Sequence, residues 1–312
     1  MALLLVLVVV ALLTSLLTDL AFTTMVDMRL TETFRDSTRA YYLAKGGINA
    51  GRMILQQDRN RYDSHDEIWS KGVINYPVGE GSVTIQIEDQ DGKLAVNGLV
   101  NGNSPQAVMV DRFYRFLVVM EIDQRVDPAE LTAALIDWLD TGDDPYTEIR
   151  TDGQSLPVSG AENIYYQSQP QTYQCKNGPL ETLQELSLVK GFTPEIVKLI
   201  SPHLAVNDTL QVNVNTASAE VLMSLNLQIS RDTAQTIIDY RQTQPIVNIA
   251  QLEDVLAPED YIVLKTLANL EQLGTTSRTY RIEASALVND GSRRLIADVD
   301  KQSNQLLFFK VN

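Results

Sequence analysis

Asp137, Asp140, Asp143, Asp144, Glu148 and Glu162 crowd the stretch from residue 137 to residue 162. Asp137 and Asp140 are three residues apart, a spacing that places two side chains on one helix face. Gly142 is positioned to end that helix, so Asp143 and Asp144 fall on the turn beside it. Carboxylates this close repel one another unless water solvates them or a cation bridges them. Ca²⁺ takes about six to eight oxygens in adaptable geometry and suits such a set, whereas Mg²⁺ demands stricter octahedral packing. The spacing is not that of an EF-hand, which needs alternating acids, a glycine and a closing Glu. The alternative is a group of helix caps and solvated acids.

Other chemistry is thinly supplied. Paired carboxylates can do acid–base work, but four or five together on a turn suit a cation better. There is no Gly-x-Ser-x-Gly, phosphate loop or His-Glu-x-x-His, and no cysteine beside a plausible histidine. His203 follows Ser201-Pro202 near an expected helix end, where capping or packing is its simplest role. The single cysteine, Cys175, excludes an intrachain disulfide, and with only His65 and His203 it excludes a Cys₄ or Cys₂His₂ zinc site. The reading is of a non-enzyme. Forty acidic against twenty-five basic residues leave a net charge of −15, which disfavours a nucleic-acid partner and suits a cation-binding or solubilised extracytoplasmic domain.

The elements that must position these groups begin in a membrane. Residues 1–22, MALLLVLVVVALLTSLLTDLAF, hold one charge, Asp19. About twenty apolar residues in a helix span a bilayer core. The segment lacks the basic start and small-residue cleavage site of a secretory signal. It fits a mature chain whose short basic leader has been removed, or an ordinary N-terminal anchor. Ala40, Leu43, Ala44, Gly47, Ile48, Gly51, Ile54 and Leu55 then recur at helical spacing, which predicts one helix from residue ~2 to ~57. Its second half should lie on a sheet, with Gly46-Gly47 permitting close packing or a kink. Ser82–Glu88 alternates with period two, Asp91-Gly92 gives a turn, and Leu94–Val96 follows as a strand. From about 104 to 273 the chain reads as short helices. Asp127-Pro128-Ala129-Glu130, the Thr182–Glu185 capping box and Thr193-Pro194 mark three helix starts. Period two then returns in three strands from Tyr280, Arg293 and Leu306. This predicts an α+β protein: a membrane-spanning half-helix (1–22), helix plus strands (23–103), an inserted helical domain (104–273) and closing strands (274–312).

A protruding helix, half membrane and half packed on an antiparallel sheet, resembles the type IV pilin fold. Ala40–Asn49 (AYYLAKGGIN), Asp91–Asn97 (DGKLAVN), Ile136–Asp140 (IDWLD) with Asp143-Asp144 and Gly160-Ala161-Glu162, and Asn213–Ala217 (NVNTA) with Glu220-Val221-Leu222 occur in order. Together they resemble the K-type minor pseudopilins of the bacterial type II secretion system. The resemblance implies a tip subunit of a periplasmic filament, anchored in the inner membrane with its C-terminal domain in the periplasm. It also implies I- and J-type pseudopilins as partners, with the major pseudopilin as a further candidate. A prepilin peptidase as processing enzyme, Met1 as the mature first residue, and methylation follow from it too. Most type IV pilins carry Glu at mature position five. K-type pseudopilins lack it, and here the position is Leu5, which suits a subunit that accepts a neighbour only below; a lipid-facing leucine is the simpler reading. Thr14, Ser15, Thr18 and Asp19 mark the expected helix–helix face. Calcium binding in the helical domain is implied as well, carried over to Asp137, Asp140, Asp143, Asp144 and Glu162.

Two segments resemble helix-hairpin-helix units: Leu186–Glu195, and Leu225–Ser230 with Ala234–Arg241. In DNA-binding versions a Gly-x-Gly hairpin offers backbone N–H groups to a phosphate. The second hairpin here has no glycine, and Glu195, Glu220, Asp232 and Asp239 surround the pair, so a compact packing unit is expected. Asn213 and Asn215 should hold a turn, Thr216 should cap a helix, and Val214, Val221, Leu222, Leu225, Ile237 and Ile238 should be core. A membrane-anchored DNA receptor and an anchored calcium-binding adaptor outside any filament are the alternatives.

Overall fold

The computed structural model describes residues 1–312. Helix α1 runs unbroken from Ala2 to Gln57, about 84 Å at 1.5 Å per residue. Residues 2–35 of it are exposed along their whole length. This is the one helix long and apolar enough to cross a membrane. From Asp36 onward α1 lies on a five-stranded antiparallel sheet of β1 (Val73–Val78), β2 (Gly81–Asp89), β3 (Thr279–Val288), β4 (Gly291–Asp300) and β5 (Leu306–Val311), in that spatial order. Adjacent strands β2 and β3 pair Ile87 with Ile282, although residues 90–278 lie between them.

Small residues set the approach of α1. A Cβ on Gly47 would stand 2.9 Å from that of Ala284, and one on Gly51 would stand 2.7 Å from Ile282 Cγ2. The second glycine of the pair therefore serves close packing, and no kink interrupts the helix. Ile48, Leu55, Trp69, Ile85, Tyr280, Ile282 and Leu295 fill the layer beneath. Asp36 accepts a bond from Asn289 (3.1 Å) at the β3–β4 turn, while Trp69, beyond the C-terminal end of α1, stacks edge-on against Tyr280 (5.2 Å). The apolar half of α1 thus projects from one end of the sheet, and the chain leaves β2 and re-enters β3 at the other.

Residues 90–278 pack around two cores of their own. The first holds α2 (Ala107–Val119), α3 (Pro128–Leu139), α4 (Asn163–Gln167) and α5 (Pro194–Ile200), and the second holds α6 (Ala219–Ser224), α7 (Arg231–Thr243) and α8 (Pro258–Asn269). The helix starts lie where the capping chemistry places them. Asp127 accepts from Ala129 N at α3, Thr193 accepts from Ile196 N at α5, and Thr182 and Glu185 form a reciprocal box. The buried Arg112 side chain of α2 bonds Leu210 O (2.6 Å) and Gln272 Oε1 (2.9 Å), joining the two cores. Val214, Val221, Leu222, Leu225 and Ile237 are buried, with Ile238 half-buried beside them.

Three local expectations fail. Leu94-Ala95 does not return along β2; it pairs in parallel with Leu204-Ala205. The carboxyl of Asp91 is bonded to Arg278 N, Thr279 N and Asn207 Nδ2, so the chain is turned into the helical body instead. Thr216 is not a helix cap, because Ser218 caps α6, and the Thr216 hydroxyl donates to Asp89 (2.5 Å). Helix α3 ends at Leu139, before Gly142, leaving Asp140 as its C-terminal cap residue in an extended conformation.

Asp89 is the centre of the junction. It is buried and accepts from Asn213 Nδ2 (3.0 Å), Ser277 Oγ (2.6 Å), Thr216 Oγ1 and the amide of Asp91 (2.8 Å). Asn213 also donates to Asp63 O, and its own amide bonds Asp91 O. Removing a donor from a buried carboxylate costs about 1–3 kcal/mol or more. Asn213→Ala should therefore lower the melting temperature by several degrees in thermal denaturation. An unchanged melting temperature would show that the junction is held elsewhere.

Candidate metal centre

Helix α3 delivers Asp137 in its last turn, and Asp140 follows as its cap. The chain then crosses a hairpin, Glu148–Thr151 with Gln154–Pro157, and returns at Gly160-Ala161-Glu162 to open α4. One carboxylate oxygen from each of Asp137, Asp140 and Glu162 lies within 4.8 Å of the others, and all three residues are buried. Glycine at 160 is enforced by this return: a Cβ there would collide with the Asp137 carboxylate and with the Tyr146 amide.

The three acids are not equally supported. Asp137 accepts from Tyr146 N (3.1 Å) and Ala161 N (2.5 Å). Asp140 accepts from Gly142 N (2.7 Å). Glu162 is 3% exposed; neither carboxylate oxygen meets an N–H or O–H donor, and the Cys175 thiol stands beside it. It stands at the N-cap of α4 but makes no cap bond. Trp138 and Tyr166 (5.1 Å), with Tyr173 beside Tyr166 (5.2 Å), form an aromatic wall behind the site. Burial pushes the Asp137 carboxyl up to about 6. Burial, then the charges of Asp137 and Asp140, push Glu162 up to about 7. Asp140 is raised too, again by burial. Buried acids facing one another are costly as charges and are relieved by a proton or by a cation.

The remaining acids stand apart from this trio. Asp143 is exposed and accepts from Asn163 Nδ2 (2.8 Å), though its charge still contributes to raising Glu162. Asp144 is exposed and outside the group, and Glu148 pairs with Arg150 (3.3 Å). Sequence reading did not find the supports: Gly160, the Tyr146 and Ala161 amides, and Asn163, whose Oδ1 accepts from Cys175 N (3.0 Å). Only Gly160-Ala161-Glu162, as a unit, carried a signal.

A second trio, Asp58, Asp63 and Glu67, also gathers three carboxylates. Lys301 Nζ bonds Asp58 (2.6 Å) and Asp63 (2.5 Å), and Glu67 accepts from Trp69 Nε1 (2.8 Å) and Ser64 N (3.0 Å). That trio carries its own cation. At the first, the nearby Lys190 is spent on Ser159 O (2.6 Å) and Glu130 (3.5 Å). A serine, a histidine and a glutamate also converge, but Ser218 Oγ (2.8 Å) and Glu220 Oε2 (3.9 Å) both face His203 Nδ1. A hydrolytic triad needs them on opposite ring nitrogens.

In the membrane half, Leu5, Thr14, Ser15, Thr18 and Asp19 are exposed, as is Met1 at the start of the chain. Thr14 and Thr18 donate their hydroxyls to Val10 O (2.7 Å) and Thr14 O (2.8 Å) of their own helix. They remain acceptors for a neighbour.

Comparison with known proteins places these features. The chain is 26% identical to the type II secretion system protein K of Pseudomonas aeruginosa over 77% of its own length and 71% of that protein's. It is 25% identical to the protein K of Pectobacterium carotovorum over 81% and 77%. A chain in the crystal structure of the GspK-GspI-GspJ complex from the enterotoxigenic Escherichia coli type 2 secretion system shares the fold, with a TM-score of 0.61 at 16% identity, covering 93% of this chain and 99% of that one. Family models described as type II secretion system protein K match residues 92–209 and 212–270, the region holding the IDWLD, Gly160–Glu162 and NVNTA segments. Those matches span more than half of the sequence, and the chain belongs to the type II secretion system protein K family of structural minor pseudopilins.

Proposed function

We propose that this subunit caps the tip of the secretion pseudopilus and controls its assembly, anchored in the inner membrane by α1 with its remaining domains in the periplasm. The observation that carries this reading is the placement of the helical body. It is attached where β2 ends and β3 begins, at the end of the sheet opposite the projecting half of α1. A subunit added beyond that end would have to displace it. Leu5, which offers no charge to a neighbour's N-terminal amine, accords with a subunit that accepts others only below. The solved neighbour is a complex of GspK with GspI and GspJ, and the same partner classes are proposed here. The helix-hairpin-helix-like segments are read as packing units: Asn226–Ser230 has no glycine, and Glu220, Asp232 and Asp239 flank it.

Calcium is proposed as the ion of the buried trio, held by Asp137, Asp140 and Glu162, with Asp143 at its rim. When bound it would neutralise the charge of three buried carboxylates and tie the end of α3 to the start of α4. Asp144 lies outside the group of mutually close carboxylate oxygens.

The full-length chain, solubilised in detergent with calcium, should co-purify with the I- and J-type subunits of the same organism as one stoichiometric complex. Failure with both, in the presence and absence of calcium, would sink the tip reading and favour an adaptor outside the filament.

Glu162→Gln should weaken calcium binding at least about tenfold in titration calorimetry. It should also raise the melting temperature of the metal-free chain near pH 8, because an unpaired buried charge is removed. Loss of stability without loss of calcium response would reject the site.

The pH dependence has a definite sign. Folded-state values of about 6 for Asp137 and about 7 for Glu162 lie above those of an unfolded carboxylate, so the metal-free fold holds protons that the unfolded chain has lost. These groups therefore make the metal-free chain less stable as pH rises from about 4 to about 7. Calcium competes with the same protons. The calcium-induced rise in melting temperature should be greatest near pH 8 and vanish near pH 5. A rise independent of pH would place the ion elsewhere.

A further inference from the structure

An asparagine followed by glycine can lose its side-chain amide without an enzyme. The glycine nitrogen attacks Cγ of the asparagine, Nδ2 leaves as ammonia, and a five-membered imide remains in the main chain. Water then opens either carbonyl of the ring. One opening gives aspartate; the other gives isoaspartate, whose main chain runs through Cβ and Cγ. One water is consumed, one ammonia is released, and nothing is oxidised or reduced. The reaction needs a glycine amide free to attack and an asparagine side chain free to swing over it into a near-attack geometry.

The chain holds three such pairs, Asn97-Gly98, Asn101-Gly102 and Asn177-Gly178, and the fold treats them differently. The Asn97 amide is clamped at both ends, Oδ1 accepting from Leu180 N (2.8 Å) and Nδ2 donating to Leu180 O (3.0 Å). At Asn177, Nδ2 donates to Gly142 O (2.5 Å) and Oδ1 is buried. The nucleophile of that pair is engaged as well, Gly178 N donating to Trp138 O (3.3 Å). Asn101 has none of these restraints. It and Gly102 are exposed, and Gly102 N makes no backbone hydrogen bond. A Cβ on Gly102 would meet nothing within 4 Å, so no neighbour hinders the attack. Gly102 (φ +61°) opens the two-residue turn that joins Val100-Asn101 to Ser104-Pro105, the place glycine takes in a type II′ turn. So short a hairpin at an exposed tip opens readily. The next asparagine, Asn103, is held, its Oδ1 accepting from Thr141 N (3.0 Å).

We propose that Asn101 is a site of spontaneous deamidation in the folded protein, and that the fold protects Asn97 and Asn177 from the same reaction. The product puts a carboxylate beside the turn whose Asn103 holds Thr141, the residue after Asp140 of the candidate metal centre. Isoaspartate also adds an atom to the main chain where Asn101 pairs with Ser104, which shifts the register of the turn.

The test follows the full-length chain in detergent by peptide mapping and mass spectrometry, since each conversion adds about 1 Da and one negative charge. Isomerisation at Asp-Gly pairs leaves the mass unchanged, so the gain counts amide loss alone. Near pH 9, position 101 should convert at least about ten times faster than 97 or 177. It should convert more slowly near pH 6, because the attacking amide has to give up its proton. In guanidinium chloride the three rates should converge to within about threefold, since the protection is structural. Asn101→Gln should remove the fast conversion and leave the melting temperature within about 2 °C of wild type, the side chain being exposed. Equal rates at 101 and at 97 or 177 in the folded chain would overturn the assignment. So would a ranking that persists in denaturant, a fast mass gain that survives Asn101→Gln, or an Asn101 that stays intact while the denatured chain converts.

Discussion

A single buried carboxylate, Asp89, holds the two halves of this protein together. Where β2 ends and β3 returns, the chain must leave a sheet and enter a helical body, and every backbone group there has to find a partner away from water. Asp89 collects Asn213 from the body, Ser277 from the returning strand and Thr216 from the approach to α6. Asp91, two residues on, takes the amides of Arg278 and Thr279. Burial raises Asp89, while burial and then the Asp89 charge push Asp91 up to about 7. The junction thus brings two acidic groups together out of water where the two domains meet, and each of their oxygens is bonded. Such over-determined polar junctions fix geometry more than they add stability, which is what mounting a body at one end of a sheet requires.

The same rule separates the two carboxylate trios. Near residue 60, the acids are matched by Lys301 and by donors on Asn60, Ser64 and Trp69, so the group is complete. Beside α3, two acids have backbone donors and the third, Glu162, has none. Composition and proximity do not distinguish these clusters. Accounting for each oxygen does: the group near residue 60 carries Lys301, and the group beside α3 has no lysine or arginine on its carboxylates.

Much of this architecture was legible in the sequence, because its strongest signals are local. The unbroken α1 follows from apolar spacing, Asp127-Pro128 from capping chemistry, and β3 to β5 from alternation. The ordered AYYLAKGGIN, IDWLD and NVNTA segments carried the family. What was not legible depends on partners distant in sequence. β1 contains Pro77, is almost wholly exposed and sits on the sheet edge, so it carries no core pattern. Leu94-Ala95 finds its strand partner at Leu204-Ala205. Thr216 looks like a cap, but its hydroxyl is taken by a carboxylate 127 positions away. At the metal centre, the acids were visible by type, while the distinction between buried Glu162 and exposed Asp144 came only from the return of the chain at Gly160. Asn213 and Asn215 hold a turn as read, through Asn215 N to Asn213 Oδ1, and are long-range clamps as well, Asn215 holding both the amide and the carbonyl of Ile246.

Charge is distributed along the molecule in the same way as polarity. Helix α1 holds four acidic and five basic residues, so the rest of the chain carries the entire net charge of −15 and one negative charge more. Bodies of like sign repel at separations within a Debye length of about 8–10 Å, which resists side-by-side crowding of several copies. The helix carries no such penalty: its membrane half is nearly uncharged, and its outer half presents Arg35, Arg39, Lys45 and Arg52 against Glu32 and the buried Asp36. A subunit built this way associates through its helix and stands clear through its body. The physical asymmetry is between a nearly neutral helix and an acidic body.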